Sequence, residues 1–303
     1  MLDKHRLIKY HFPMELRVLK YFLAVAQTGS ITKAANVLHL TQPTLSRQLM
    51  DLELELGHKL FVRGKHSISL TQEGLILKAR AQEIVELADK TYLEFKNDKS
   101  SVSGDVYIGG GESESIFHIA EIIKEIQQEY PQIKFHMYSG NGEDVVEKLD
   151  KGLLDFGVLI QPIDLSKYNS VSLNSKDTWG LILRKDDKLA QKKFITVEDL
   201  DGIPIIASRQ LAKKYLVQND FTKWFGEYID KLNIVATYNL IYNASVMVES
   251  KIGYAIGLDK LVSNKNLCFR PFYPKLESAL DVVWKKEQVL TKASRIFLEK
   301  LKD

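Results

Sequence analysis

The sequence predicts two fold classes in one chain. The first is an all-α head of three short helices closed by a two-stranded wing and continued by a long helix. The second is an α/β body of two Rossmann-like subdomains. Three observations predict this. From Met14 to Gly57, three apolar stripes at helical spacing are separated by turn residues. From Thr71 to about Phe95 runs one amphipathic stretch without a break. From Asp105 onward, short apolar runs alternate with helical patterns, as parallel strands joined by crossover helices require.

With 303 residues the chain can form two or three domains, each with its own core. An apolar fraction of 45% and a charged fraction of 27% place it among ordinary globular proteins. No window approaches the run of about 20 apolar residues needed to cross a bilayer. The start, MLDKHRLIKYHFP, is basic but has no apolar core region and does not read as a signal peptide. The expectation is a cytoplasmic protein without a membrane partner. A single cysteine, Cys268, excludes a disulfide framework and a cysteine metal cluster. Charge is uneven: residues 1–70 carry ten Lys and Arg against five acids, and the total of +3 then leaves −2 for the remainder. A basic head suits a polyanion such as nucleic acid.

In the head, Leu16, Leu19, Leu23 and Ala26, with Val18, Phe22 and Val25 beside them, form the first stripe. Thr28-Gly29 stops that helix and Ser30 caps the next, from Ile31 to Leu38, whose Ala34-Ala35 pair admits a closely crossing helix. Thr41 caps a third helix, and Pro43 is tolerated in its first turn. Leu45, Leu49, Leu52 and Leu56 point inward at about 100° per residue, while Pro43, Arg47 and Met50 point away. Thr44 and Ser46 flank the outer face and Gln42 sits at its tip. Hydroxyl, amide and guanidinium groups at a helix N-terminus can read base edges and bind phosphate. Gly57 ends the helix. Lys59–His66 and Ser67–Leu70 then read as two strands around a basic turn.

Three linked motifs carry a resemblance: SITKAANVLHLTQPTLSRQLMDLELELG (Ser30–Gly57), HKLFVR (His58–Arg63) and SLTQEG (Ser69–Gly74). Together they resemble the winged helix-turn-helix of the LysR family of transcription regulators. The resemblance implies that Thr41, Gln42, Pro43, Thr44, Ser46 and Arg47 enter the major groove and that Arg63 and Lys65 serve the wing. The family's usual start lies near Met14, so residues 1–13 are an N-terminal extension or follow a misplaced start codon.

Thr71 caps the long helix, in which Leu77, Ala81, Ile84, Ala88, Thr91 and Phe95 alternate by four and three. This seam is expected to pair with a second copy of the chain or to pack on the chain's own domains. The resemblance favours the dimer, and further assembly to a tetramer. Ser100–Gly104 reads as a hinge.

The body begins β-α-β-α-β. Asp105–Ile108 is a strand ending in Gly109-Gly110-Gly111, and Ser115–Tyr130 a helix stopped by Pro131. Ile133–Ser139 is a strand, Asn141 caps a helix with Val145, Val146 and Leu149 inward, and Phe156–Ile160 is a buried strand. A second block holds a strand at Trp179–Leu183, the phrase VEDLDGIPIIAS (Val197–Ser208), a long helix within Leu211–Lys231, and strands at Ile234–Tyr238 and Gly253–Gly257. The chain is expected to return to the first subdomain through Leu280–Trp284 and a helix around Val289–Leu301. Either two subdomains flank a cleft, or one continuous sheet lacks one. KLDKGLLDFGVLI (Lys148–Ile160) and VESKIGYAIG (Val248–Gly257) resemble, more loosely, the LysR effector domain, which is itself similar to periplasmic binding proteins. The family's Leu-Pro in the first helix is Ile119-Ala120 here, and no Pro follows Gly257.

The expected domains are 1–13, the extension; 14–70, the winged helix-turn-helix; 71–99, the linker helix; and 104–303, the effector domain. Subdomain I is expected at 104–162 and 267–303, and subdomain II at 163–266. Positions after strand ends nominate Gly111, Ser113, Glu114, Ser139, Gly140, Asn141, Ile160 and Gln161 as pocket residues, with Ser208 and Arg209 across the cleft. Backbone N–H groups near Ser115 favour an anion, whereas Glu112 and Glu114 could occupy that helix end themselves or repel one.

An enzyme is not expected. Gly109-Gly110-Gly111 fails the dinucleotide pattern because the third glycine would fall at Glu114, and the histidines show no metal spacing. A bare solute-binding protein leaves the head unexplained. A constitutive DNA-binding protein whose body only oligomerises remains an alternative to a regulator. The expected partners are double-stranded DNA, further copies of the chain, a small-molecule effector and RNA polymerase, with no cofactor or metal.

Overall fold

The computed structural model describes residues 14–64, 68–96, 102–212 and 220–302. The expectations for residues 1–13, for Lys65 and for the Ser100-Ser101 part of the hinge lie outside the described residues. Two compact units meet in sequence at Phe95/Lys96.

The head comprises α1 (Leu16–Thr28), α2 (Ile31–Val37), α3 (Gln42–Leu56), β1 (Phe61–Arg63), β2 (Ile68–Leu70) and α4 (Gln72–Lys96). Its core is Val18, Leu19, Phe22, Val25, Ala34, Ala35, Leu45, Leu49, Leu52 and Leu60. Each of the Val, Leu and Phe side chains contributes about 1.5–3 kcal/mol on burial. Leu16, expected on the inner stripe, is exposed, because α1 turns its Val18–Phe22–Val25 edge to the core. The wing strands pair antiparallel, Phe61 opposite Leu70 and Arg63 opposite Ile68. The first strand begins only at Phe61, because Leu60 N–H donates to Glu53 Oε1 at 2.8 Å before the ladder starts, and the expected strand positions Lys65, His66 and Ser67 lie outside the described residues. Gly74 in the SLTQEG motif lets α4 start against the wing, since a Cβ there would lie 2.2 Å from the Leu60 carbonyl oxygen. Thr71 caps α4 by accepting from Gly74 N–H at 2.9 Å.

The expected seam of α4 divides. Leu77 and Ala81 are buried in the head's own core, with Val85 packed against it. Ile84, Thr91 and Phe95 are exposed, and Ala88 is half-buried. The heptad spacing is real, but its first half already has a partner in α1 and the wing. Ile76 and Leu87, which the seam omitted, are exposed beside Ile84.

The body starts with β3 (Gly104–Gly110), α5 (Ile116–Glu129), β4 (Ile133–Ser139), α6 (Gly142–Asp150) and β5 (Phe156–Ile160). A 17-residue strand, β6 (Tyr168–Arg184), follows. Then come β7 (Pro204–Ser208), α7 (Arg209–Ala212), α8 (Asp220–Phe225), β8 (Asn233–Tyr238), α9 (Ile241–Glu249), β9 (Tyr254–Leu258), β10 (Leu267–Pro271), β11 (Glu277–Lys285) and α10 (Lys292–Lys302). The hydrogen-bonded order is β4-β3-β5-β11-β6-β9-β7-β8, with β10 also on β6. Of the long helix expected within Leu211–Lys231, residues 213–219 lie outside the described residues; α8 ends at Phe225, where Gly226 takes φ +53° and a 3-10 turn follows. No described helix is long and apolar enough to cross a membrane.

Strand β6 moves the subdomain boundaries. Its first half pairs with β11, from Tyr168 opposite Lys285 onward, and Val171 and Leu173 pack on the subdomain I core. Its second half pairs with β9 and β10. The chain therefore crosses between subdomains near Asp177 and again near Glu277, not at 162/163 and 266/267. Leu267–Pro271 belongs to subdomain II, where it pairs with Gly180–Arg184. Each half of the sheet is covered on both faces. Subdomain I buries Phe156 against Phe297 of α10 on one side and Leu159 with Val145 and Leu149 of α6 on the other. Subdomain II buries Leu181 and Phe225 on one side and Ile182 with Ile241 and Val248 of α9 on the other.

Candidate functional site

The outer face of α3 is built by its caps and its inner leucines. Ser30 accepts from Lys33 N–H at 3.3 Å and fixes α2. The turn to α3 passes through His39 in the left-handed region (φ +54°), with Leu40 N–H donating to the Ala35 carbonyl at 2.9 Å. Thr41 caps α3, accepting from Thr44 N–H at 3.4 Å and sharing a hydroxyl–hydroxyl bond of 2.7 Å with Thr44. With Leu45, Leu49 and Leu52 buried, Thr41, Gln42, Pro43, Thr44 and Arg47 are exposed together and Ser46 is half-buried. This face presents a guanidinium, an amide and hydroxyls at the positive end of a 15-residue helix. Arg63 closes β1 opposite Ile68.

Glu53 was missed by the sequence reading, although an acid at a core-facing helical position is a visible anomaly. Its carboxylate is buried and accepts from Leu60 N–H at 2.8 Å and Phe61 N–H at 3.3 Å, with Lys59 Nζ at 2.7 Å. Burial alone would raise its pKa; the Lys59 hydrogen bond and the two backbone donors outweigh that and hold it below the usual carboxylate range. Glu53 thus ties α3 to the root of the wing.

In the body, the nominated residues gather at the ends of β3, β4 and β5. Gly140 N–H donates to the Gly110 carbonyl at 3.1 Å. A Cβ on Gly111 would lie 3.3 Å from Ile160 Cδ1 and 3.8 Å from the Gly140 carbonyl oxygen. Ser139 ends β4 opposite Gly110, and Asn141 caps α6 by accepting from Asp144 N–H at 3.0 Å. Other nominated groups already have protein partners. Ser113 Oγ donates to Asp177, and Ser115 Oγ donates to Asp177 Oδ1 at 2.8 Å. The Gln161 amide bonds Asp281 and accepts from Ile163 N–H at 2.9 Å. Ser208 accepts from Leu211 N–H at 3.3 Å as the cap of α7, and Arg209 is exposed at the end of β7. Glu114 is exposed. Glu112 does not turn to the helix at Ser115: its Oε2 accepts from Ile241 N–H at the start of α9. Burial, with the Glu112 charge added, pushes the nearby Tyr238 hydroxyl well above its usual range, and that hydroxyl donates to the Ile256 carbonyl at 2.7 Å. The buried acids Asp177 and Asp281 carried no sequence signal, because their partners lie 62 to 120 residues away.

Comparison with known proteins agrees with this layout. Residues 16–75 match the bacterial regulatory helix-turn-helix protein pattern of the lysR family, and residues 99–303 match the LysR substrate binding domain. The HTH-type transcriptional regulator BsdA of Bacillus subtilis (strain 168) is 27% identical over 301 residues, spanning 94% of this chain and 99% of that protein. The HTH-type transcriptional regulator YvbU of the same organism is 31% identical over 194 residues, 64% of this chain and 65% of that protein. Among solved structures, CbnR, a LysR family transcriptional regulator, matches with a TM-score of 0.72 at 18% identity, covering 95% of this chain and 98% of that one. Full-length CbnR in complex with its target DNA matches with a TM-score of 0.71 at 18% identity, covering 95% and 99%. The chain belongs to the LysR family: it is a DNA-binding transcription regulator with a LysR substrate binding domain, not an enzyme.

Proposed function

We propose that the chain acts in the cytoplasm as a homo-oligomer that grips duplex DNA through Thr41, Gln42, Pro43, Thr44, Ser46 and Arg47 of α3, with Arg63 and Lys65 of the wing. The observation that carries this reading is the exposed outer face of α3 opposite three buried leucines. Self-association uses the exposed part of α4, Ile84, Thr91 and Phe95 with Ala88, and assembles dimers into a tetramer. Paired recognition helices then meet two half-sites one helical turn apart, or a multiple of it. The body binds a small molecule between its subdomains, around Gly111, Ser139–Asn141 and Ile160, with Ser208 and Arg209 from the opposite side. That effector shifts the arrangement of dimers on DNA by binding one arrangement more tightly, and the shift is read by RNA polymerase. No cofactor is required.

The test is a titration of the full chain against the intergenic DNA beside its own gene, with excess nonspecific competitor. Specific, salt-sensitive binding is expected, and Arg47→Ala should weaken it by about 1–3 kcal/mol if Arg47 reads a base. Equal loss on all sequences would assign Arg47 to phosphate instead. Absence of specific binding by folded oligomer on every flanking region would overturn the proposal. A saturable small-molecule effect on that binding separates a sensor from a constitutive binder.

A further inference from the structure

Helix α9 begins without a cap of its own. Leu240 holds extended N-cap backbone, φ −125° and ψ 139°, but its side chain has no acceptor. The acceptor comes from the other subdomain. Glu112, 129 residues earlier in the chain, takes the Ile241 N–H through Oε2. The loop carrying Glu112 is pinned from behind: Ser113 and Ser115 both donate to Asp177, and Ser115 N–H donates to Ser113 Oγ at 2.9 Å. Asp177 is buried on β6, where the chain crosses between subdomains. At the same crossing, Thr178 N–H donates to Asp259 Oδ1 at 3.0 Å and Trp179 N–H to the Leu276 carbonyl at 2.9 Å. A continuous series of bonds therefore runs from α9 through the Glu112 loop to the hinge strand.

We propose that the Glu112 loop is a latch: it holds the two subdomains together across the cleft, and cleft opening requires release of Glu112 from α9. A carboxylate on a helix N-terminus is favoured by both the charge-assisted bond and the aligned peptide dipoles. Such a bond weights the closed arrangement over the open one by roughly ten- to hundredfold. The two strand crossings form the hinge and the Glu112–Ile241 bond joins the two halves away from it, so its loss frees the hinge as well as the helix end. The inference concerns the body alone and rests on the proposed reading in one respect, that a cleft lies between the two subdomains.

Amide hydrogen exchange on the full chain separates a latch from a simple helix cap. Glu112→Ala should speed exchange on the order of tenfold in the first turn of α9 and at Thr178 and Trp179. Adding Leu240→Ser supplies α9 with a cap of its own. The double variant should regain protection in α9 while Thr178 and Trp179 stay fast. If Thr178 and Trp179 are unchanged in Glu112→Ala, or regain protection together with α9 in the double variant, Glu112 is only a cap and the latch is overturned. Should Glu112→Ala not fold, Glu112→Gln, whose amide oxygen still accepts without a charge, is judged by the same criteria with a smaller expected rise.

Discussion

The head draws its core from one run of chain, Val18 to Ala81, with α1, α2 and α3 packing on one another and the start of α4 joining the same core. Subdomain I of the body instead joins Val106–Val171 to Leu280–Leu301, segments separated by an entire second subdomain. In the head, a carboxylate finds its backbone donors seven and eight residues away, as Glu53 does with Leu60 and Phe61. In the body, the comparable carboxylate, Glu112, reaches 129 residues. The two regions thus differ less in chemistry than in how far along the chain each partner lies.

The largest expected effect tests whether the late segment completes the body. Phe297 of α10 is fully buried against Phe156, with ring centroids 4.9 Å apart. Phe297→Ala should cost about 3–5 kcal/mol of body stability, read by tryptophan fluorescence because Trp179, Trp224 and Trp284 all lie in the body. The amide spectrum of the head around Phe22 should be unchanged; a matching loss there would erase the contrast between local and distant assembly. An intermediate effect is expected for Glu53→Gln, which weakens two backbone bonds and an ion pair and should cost the head about 1–3 kcal/mol. Because the folded Glu53 carboxyl titrates below its ordinary value of 4.5, its stabilisation is complete above that pH and is lost as pH falls through the lowered value. Helix melting of the head followed by circular dichroism between pH 3 and pH 7 should therefore show a shallower acid limb in Glu53→Gln; identical limbs would deny the carboxylate its role. The smallest effect is expected at Lys20–Asp89, an exposed pair at 2.6 Å between α1 and α4. Asp89→Ala should cost at most about 1 kcal/mol in a urea titration, and a larger loss would mean that this exposed pair does more for the head than its solvated setting implies.

The same contrast explains what could be read in the sequence. Ser30, Thr41, Thr71 and Asn141 announce helix starts because a cap and its N–H lie within three residues. The outer face of α3 was legible for the same reason, since one helical period sorts inner leucines from outer polar groups. The first half of β6, YNSVSLNSKD, was not, because it is polar and owes its strand form to β11, more than a hundred residues on. Helix α9 was invisible as a helix start because its cap belongs to another subdomain. The heptad spacing of α4 shows a stripe but not its division between two partners, which the packing of α1 and the wing decides. In the body, positions at strand ends are identifiable from topology. Which of them are already engaged, as Ser113 is by Asp177 and Gln161 by Asp281, depends on contacts with no local trace.

Return of the chain through β11 and α10 has a consequence for synthesis. Everything that makes the head compact has left the ribosome once residue 96 is out, and subdomain II needs nothing beyond β10 and the residues up to Leu276. Subdomain I must wait with its sheet open until Leu280, Val282, Phe297 and Leu301 arrive at the very end. A nascent chain interrupted before Glu277 would already carry a finished DNA-binding head on an unfinished body. Such a fragment would expose the open sheet of subdomain I to proteases, because the side chains that cover it have not yet been made.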